Sequence, residues 1–480
     1  MANNNNLILK SKFWTQYKTL SDDEAKDFAD FVSAGIFART PKAGRLAKVL
    51  RVLRQEPLTV AEVYSRTFEK SAFNEQVLRN YLSELNDALH EFLAMVAMHQ
   101  RPVLQNWMYL ESVRVAAYQP ELEKQLEQDR YQPELKTTDD MFAYFRQLQI
   151  VDEYAATQAH KKRYDLLVPA MHMLTDHYIT AMLRMYCEAV NRKALRSQNY
   201  DEEALQFFLT QVAYIEQSRP LTMMAQLFKS VLNIIMFPAE ENYFEILKNL
   251  LQKHIIDLDK SMAREICLYA QNYCIRHINL NHSTYMQELL SLYDFMILHN
   301  VISEGPFMTQ YTFKNYITLS LRLHQFDSAL HFIKQQQHRL HESVREQAAR
   351  YNLAAVYFEQ GEHGAAMEEL FYIQMQDPIY YLDSRAILLK IYFAQQDVEA
   401  VGSLYHAVKT YLLRNKQLPR KQAELYRNLF MLSNKLMMLS QNWKYLSPED
   451  AMSRKLKLTS KIELSPVANK PWLMTQLNAL

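Results

Sequence analysis

Apolar residues recur at spacings of three and four along almost the whole chain, the period of helices that bury one face. In the first hundred residues the longest such run is Phe73 to Met98, with Leu78, Leu82, Leu85, Leu89, Leu93 and Val96 on one side. Ahead of it, Ser21-Asp-Asp-Glu24 reads as a capping box in front of an apolar face of Ala25, Phe28, Ala29, Phe31 and Val32. Thr59-Val-Ala-Glu62 opens another capped helix, and a basic helix follows Pro41. Four short helices of this kind are expected to pack as a small bundle over residues 1–100.

From 101 to 300 the pattern predicts an irregular region of helical hairpins. Helical runs over Asp139–Lys162, Thr175–Ser197, Asp201–Glu216, Leu221–Phe237, Glu240–His254 and Ser261–Ile278 alternate with short polar breaks. Short breaks make neighbours antiparallel, and a series of hairpins builds an α-solenoid. The solenoid is expected to continue over 301–445. A tail over 446–480 carries Trp472 and several leucines, so it should dock on its own solenoid or on a partner. No segment shows the two-residue period of a strand between turn residues. The expected fold class is all-α: an α-α superhelix of hairpins preceded by an N-terminal helical bundle.

Composition sharpens this. The 480 residues include six glycines, where ordinary usage of roughly 7% would give about 34. That excludes the glycine-rich turns of a nucleotide-binding α/β enzyme or an all-β sandwich. The formal net charge of +1 gives no global field for nucleic acid. Three cysteines, Cys187, Cys267 and Cys274, are too few and too odd in number for a disulfide framework. Without an apolar signal core or an uncharged stretch of 18 residues, the expectation is a cytoplasmic protein with no membrane partner.

The most specific pattern lies at 347–380. In Tyr351-Asn-Leu-Ala-Ala-Val-Tyr-Phe-Glu-Gln-Gly-Glu-His-Gly-Ala-Ala-Met-Glu-Glu-Leu, the residues Leu353, Ala354, Tyr357, Gly361, Ala366 and Leu370 fall in fixed order, and Pro378 closes the unit. This resembles the tetratricopeptide (TPR) repeat, a helix–turn–helix unit. The small Ala354 and Ala366 let two helices approach, and Gly361 takes the turn. A looser match lies about 37 residues upstream at Phe313, Phe326, Ala329 and Ile333. Another lies about 35 downstream at Leu388, Tyr392, Val401, Tyr405 and Val408, with Gln396 in place of the turn glycine.

The resemblance implies a groove lined by the first helix of each pair, which holds a protein or peptide. Its implied lining residues are Lys314, Asn315, Thr318 and Leu321, then Tyr351, Asn352, Ala355 and Phe358, then Ala386, Lys390 and Phe393. Asn315 and Asn352 hold equivalent places where TPR proteins use asparagine to bond a peptide backbone; Ile387 stands there in the third repeat. Phe358 and Phe393 would form an apolar step, and aromatics of this kind anchor binding energy. Covering of these residues by further helices or by the tail is the competing expectation.

Catalytic chemistry has little support. There is no phosphate-cradling glycine loop, nucleophile elbow or His-Glu-x-x-His helix. His172 and His177, five apart, leave a common helix face, and His277 and His282 straddle a helix end. Asp257 and Asp259 read as helix-end residues. No enzyme, cofactor or metal is expected. The alternative reading is a nucleic-acid-associated regulator. Arg39, Lys42, Arg45, Lys48, Arg51 and Arg54 recur every three residues, and Arg45, Lys48, Arg51 and Arg54 would contact phosphate. Leu46, Val49, Leu50 and Leu53 interleave with them, as in any amphipathic helix with a solvated face. Residues 59–95 admit a weak helix-turn-helix reading, with Asn74–Asn80 opening the recognition helix.

Overall fold

The computed structural model describes residues 6–34, 40–69, 71–115, 120, 135–157, 166–196, 200–371, 373, 377–415 and 417–480. Among the described residues there are 23 α-helices and no strand; one isolated bridge joins Met308 to Leu340. The fold is all-α, built from helices packed on helices. The chain divides into two compact units, residues 1–186 with 201–225, and residues 187–200 with 226–480.

The first unit opens with α1 (Asn6–Leu9), α2 (Lys12–Tyr17), α3 (Asp22–Ser33), α4 (Pro41–Leu53), α5 (Val60–Phe68) and α6 (Glu75–His99). These are six helices where four were expected. The extra pair is too short to show a period, yet it supplies Ile8, Phe13, Trp14 and Tyr17 to the core. Phe13, Tyr17, Phe28 and Phe92 pack ring on ring at centroid distances of 4.9–5.9 Å. Both capping motifs form: Glu24 N donates to Ser21 Oγ while Ser21 N donates to Glu24, and Thr59 with Glu62 repeats the arrangement. Gly44 lets α4 close on α3, since a Cβ there would lie 2.9 Å from the backbone of Ser33.

Three more helices follow in this unit: α7 (Pro102–Val115), α8 (Thr138–Thr157) and α10 (Glu202–Ser218). Gln147 ties α7 to α8 by accepting from Asn106 at 2.8 Å and donating to Val103 O at 2.6 Å. Helix α9 (Leu167–Arg196) crosses the division between units, as does α11 (Met223–Met236). It starts eight residues before the expected Thr175, because Pro169 falls in its first turn, where proline costs no hydrogen bond. The end expected for α8, up to Lys162, lies outside the described residues, as does Arg39.

The second unit continues with α12 (Glu241–His254), α13 (Lys260–Asn279), α14 (Thr284–Leu298), α15 (Gln310–Arg322), α16 (Phe326–Gln336), α17 (Glu342–Glu359) and α18 (His363–Phe371). After them come α19 (Pro378–Ala394), α20 (Val398–Arg414), α21 (Arg420–Asn442), α22 (Pro448–Leu464) and α23 (Lys470–Asn478). Asp259 caps α13, its carboxylate accepting from Ser261 N at 2.8 Å, so it is a helix-end residue.

The hairpin turns repeat at the level of single bonds. His324, Gly361 and Gln396 all have positive φ, at 56°, 83° and 58°. The next amide reaches back over the turn each time: Gln325 N to Ser320 O, Glu362 N to Tyr357 O and Asp397 N to Tyr392 O, at 2.8–3.0 Å. This is the Schellman closure of a helix end. The turn residues stand 37 and 35 positions apart, the offsets of the apolar pattern. Asn281 makes the same turn after α13, with φ 68° and His282 N bonded to His277 O.

Candidate functional site

The first helices of the hairpins, α15, α17, α19 and α21, lie side by side, and their facing side chains form three layers. At one end Asp377 caps α19 by accepting from the amides of Ile379 and Tyr380. Its other oxygen accepts from Tyr311 Oη at 2.5 Å and Gln310 Nε2 at 3.2 Å. Tyr380 Oη donates to Gln310 O at 2.6 Å, which ties α19 to α15.

The middle layer holds an ion pair among rings. Lys314 Nζ pairs with Asp383 Oδ2, the two side chains keeping 17% and 18% of their exposure. The ammonium also lies 5.3 Å and 5.2 Å from the ring centres of Tyr351 and Tyr380. Asp383 Oδ1 accepts from Tyr426 Oη at 2.5 Å, so one carboxylate joins α15, α19 and α21. Burial pushes the phenols of Tyr351, Tyr380 and Tyr426 well above their ordinary range, which keeps all three neutral.

The third layer is apolar with one cation in it. Phe358 and Phe393 lie near the ends of α17 and α19, and Lys390 Nζ is 5.6 Å from the Phe358 ring centre. Trp472 of α23 meets Phe393 edge to face at 5.5 Å and Lys390 at 5.9 Å. Burial holds the Lys390 ammonium below its usual pKa, with Glu359 and Asp383 acting against that shift.

The expected lining residues therefore separate. Lys314, Tyr351, Phe358, Lys390 and Phe393 come together on one face. Phe393 and Tyr351 are buried there, covered by neighbours rather than open to solvent. The asparagine pair is not assembled. Asn352 is 1% exposed and donates to Ala348 O at 2.7 Å within its own helix, whereas Asn315 is exposed. Asn352 is enclosed where α17 packs between α15 and α19, while Asn315 lies beside Tyr293 of α14. The pattern missed Asp383 and Tyr426. Asp383 is the one acid in α19, and a lone carboxylate in an apolar helix is the signal that could have found it.

The basic helix is α4. Lys42, Arg45, Lys48 and Arg51 face solvent above the buried Ala43, Leu46, Ala47 and Leu50. Arg45 pairs with Glu69 at 2.8 Å. Arg54 departs from the stripe: it donates to Tyr17 O at 3.1 Å and Leu20 O at 2.5 Å, closing the end of α2, and lies 5.5 Å from the Tyr17 ring centre. Asn74 caps α6, and Gln76 bonds Asn80 on its exposed side.

Elsewhere, His277 Nδ1 lies 3.1 Å from His282 Nδ1, and its Nε2 lies 3.0 Å from Pro238 O. The three thiols are buried, and burial pushes Cys267 and Cys274 up to about 12, far from thiolate chemistry. Among the described residues no group of three or more His, Cys, Asp or Glu is placed to hold a metal ion. Likewise, no helix there is long and apolar enough to cross a membrane. No family model, curated protein or solved structure matches the chain.

Proposed function

We propose that this protein is a non-catalytic interaction scaffold, in which TPR-like hairpins hold a protein or peptide at the face of α15, α17 and α19. The observation that carries this reading is the third layer. Phe358, Lys390 and Phe393 receive an aromatic ring, Trp472, from a helix outside the hairpin series. A face with rings and a cation fits side chains of a protein partner better than it fits a reacting small molecule. The working compartment in this reading is the cytoplasm.

Affinity capture from native extract tests it. The scaffold reading requires a defined protein partner that persists after nuclease treatment and is lost in a Phe358→Ala, Lys390→Ala variant that still melts cooperatively. Capture that is indifferent to both substitutions contradicts it.

The second reading, phosphate contact by α4, is favoured by the exposed row of Lys42, Lys48 and Arg51. It has to do without Arg54, and Arg45 is partly neutralised by Glu69. It requires nucleic-acid binding that falls steeply with salt and disappears when Lys48 and Arg51 become glutamate.

A further inference from the structure

Helix α23 is nine residues long, and a helix of that length has little stability of its own in water. Nor is it well capped. Asn469 precedes it in the left-handed region at φ 50° and makes no side-chain cap bond. Its hold on the unit comes from two sources. The linker before it is pinned by Ala468 N donating to Leu425 O at 3.2 Å and by Asn428 Nδ2 donating to Pro466 O at 2.9 Å. The helix itself buries Leu473 and Leu477 completely and sets Trp472 against Phe393.

Among the described residues, no hydrogen bond or ion pair joins residues 471–478 to α19 or α21. Helix α23 packs on α21 and α22 and reaches α19 through the Trp472 ring, and what it sets there is that ring and two buried leucines, spaced one and five positions on. Chemistry of that kind can be supplied by another chain, because it depends on no backbone pairing with this one.

Lys390 shows what α23 leaves unused. Its ammonium sits between the Phe358 and Trp472 rings and makes no ion pair or hydrogen bond among the described residues. Helix α23, Lys-Pro-Trp-Leu-Met-Thr-Gln-Leu-Asn, contains no acid to give it one. A competing helix with the same ring and leucines plus a carboxylate one turn after the ring would gain a charge-assisted bond in a half-buried place. That bond is the energetic reason for exchange.

Resting on the scaffold reading, we propose that the face of Phe358, Lys390 and Phe393 binds a short amphipathic helix of a partner protein. That helix presents an aromatic ring, leucines one and five positions after it and an acid one turn on, and α23 is the resident segment it replaces. The site thus takes a helix in a groove, read by apolar anchors on one face.

The probe is a fluorescein-labelled peptide with the sequence of residues 465–480, together with the same peptide carrying Gln476→Glu. Binding is read by anisotropy against the full-length wild-type chain, full-length Trp472→Ala, and Trp472→Ala combined with Lys390→Ala. The expected result is at least tenfold tighter binding to Trp472→Ala than to wild type. The Gln476→Glu peptide should bind tighter still, and that advantage should vanish with Lys390→Ala and at high salt. Equal binding to wild type and Trp472→Ala, or none to either, overturns the proposal.

Hydrogen exchange on the unmodified chain keeps the question decidable if Trp472→Ala does not fold. Amides of residues 472–478 must exchange much faster than those of α19 and α21, and equal protection makes α23 a core element and ends the idea. If the peptide fails while Phe358-dependent partner capture persists, this inference falls and the scaffold stands. If no Phe358-dependent capture is found, both fall.

Discussion

The N-terminal bundle and the C-terminal hairpins both bury aromatic rings, but they surround those rings differently. In the bundle Phe13, Tyr17, Phe28 and Phe92 meet one another, and most charges of α4 turn outward. In the hairpins the rings of Tyr351, Tyr380, Phe358 and Trp472 surround ammonium groups. Ring-on-ring packing is favourable and nearly indifferent to direction. A charge among rings is expensive to desolvate, is satisfied only by particular partners, and so confers position-specific chemistry. Lys314 is paired with a carboxylate, whereas Lys390 makes no ion pair among the described residues and feels Glu359 and Asp383 only at longer range, which is why the second is the more informative for the proposed function. In the function proposed above, the bundle is a structural unit and the hairpin face is where a partner is recognised.

The largest effect is expected where the core is purely apolar. Phe28→Ala removes a fully buried ring and should cost about 3–5 kcal/mol in urea unfolding. A loss under 1 kcal/mol would mean that the ring cluster is not the bundle's core.

Next comes the ion pair. Asp383→Asn removes the charge that pairs Lys314 and leaves one acceptor oxygen for two donors, Lys314 and Tyr426, and should cost about 2–3 kcal/mol, less than at a dry site because both side chains of the pair keep some water contact. The paired replacement Lys314→Met, Asp383→Asn, which keeps an acceptor for Tyr426, should recover most of that loss. A double-mutant cycle with no coupling would remove the distinction between the two regions.

The repeated turns predict smaller, opposite changes. Gly361→Ala forces a Cβ into φ 83° and should cost about 1 kcal/mol, while Gln396→Gly at φ 58° should gain about 0.5–1 kcal/mol. Both are checked by thermal unfolding, and equal signs would break the equivalence of the hairpins.

The smallest effect is a pH dependence. Burial and the neighbouring His282 hold His277 below its ordinary pKa of 6.5. The unfolded chain therefore binds this proton at higher pH than the folded one, so the stability in question is complete above about 6.5 and is lost as pH falls through the lower folded value. Urea unfolding of wild type and His277→Asn at pH 7.5 and 5.5 checks this. The gap between them should narrow on acidification, and a constant gap would show that His277 titrates normally.

Local features were legible in the residues. The glycine count and the three-and-four spacing led to an all-α fold, both capping motifs close as read, and the 37- and 35-residue offsets reappear in the positive φ of His324, Gly361 and Gln396. What escaped is what depends on distance along the chain. Lys314 and Asp383 are 69 positions apart, and Arg54 closes a helix end 34 and 37 positions away. No periodicity carries such pairings. The Asn315–Asn352 equivalence is one of register alone, and equal register in two helices does not give equal burial when their neighbours differ. Trp472 was legible as a side chain that must dock, and the competing expectation that the tail covers Phe358 and Phe393 matches its place beside Phe393 and Lys390.

Placing a photoreactive phenylalanine analogue at position 358 in one chain and at position 48 in another, then irradiating each in native extract, tests the division of labour most directly. A discrete protein adduct at 358, with none at 48, is the predicted result. A nucleic-acid adduct at 48 with no intermolecular adduct at 358 would contradict it and move the functional surface to α4.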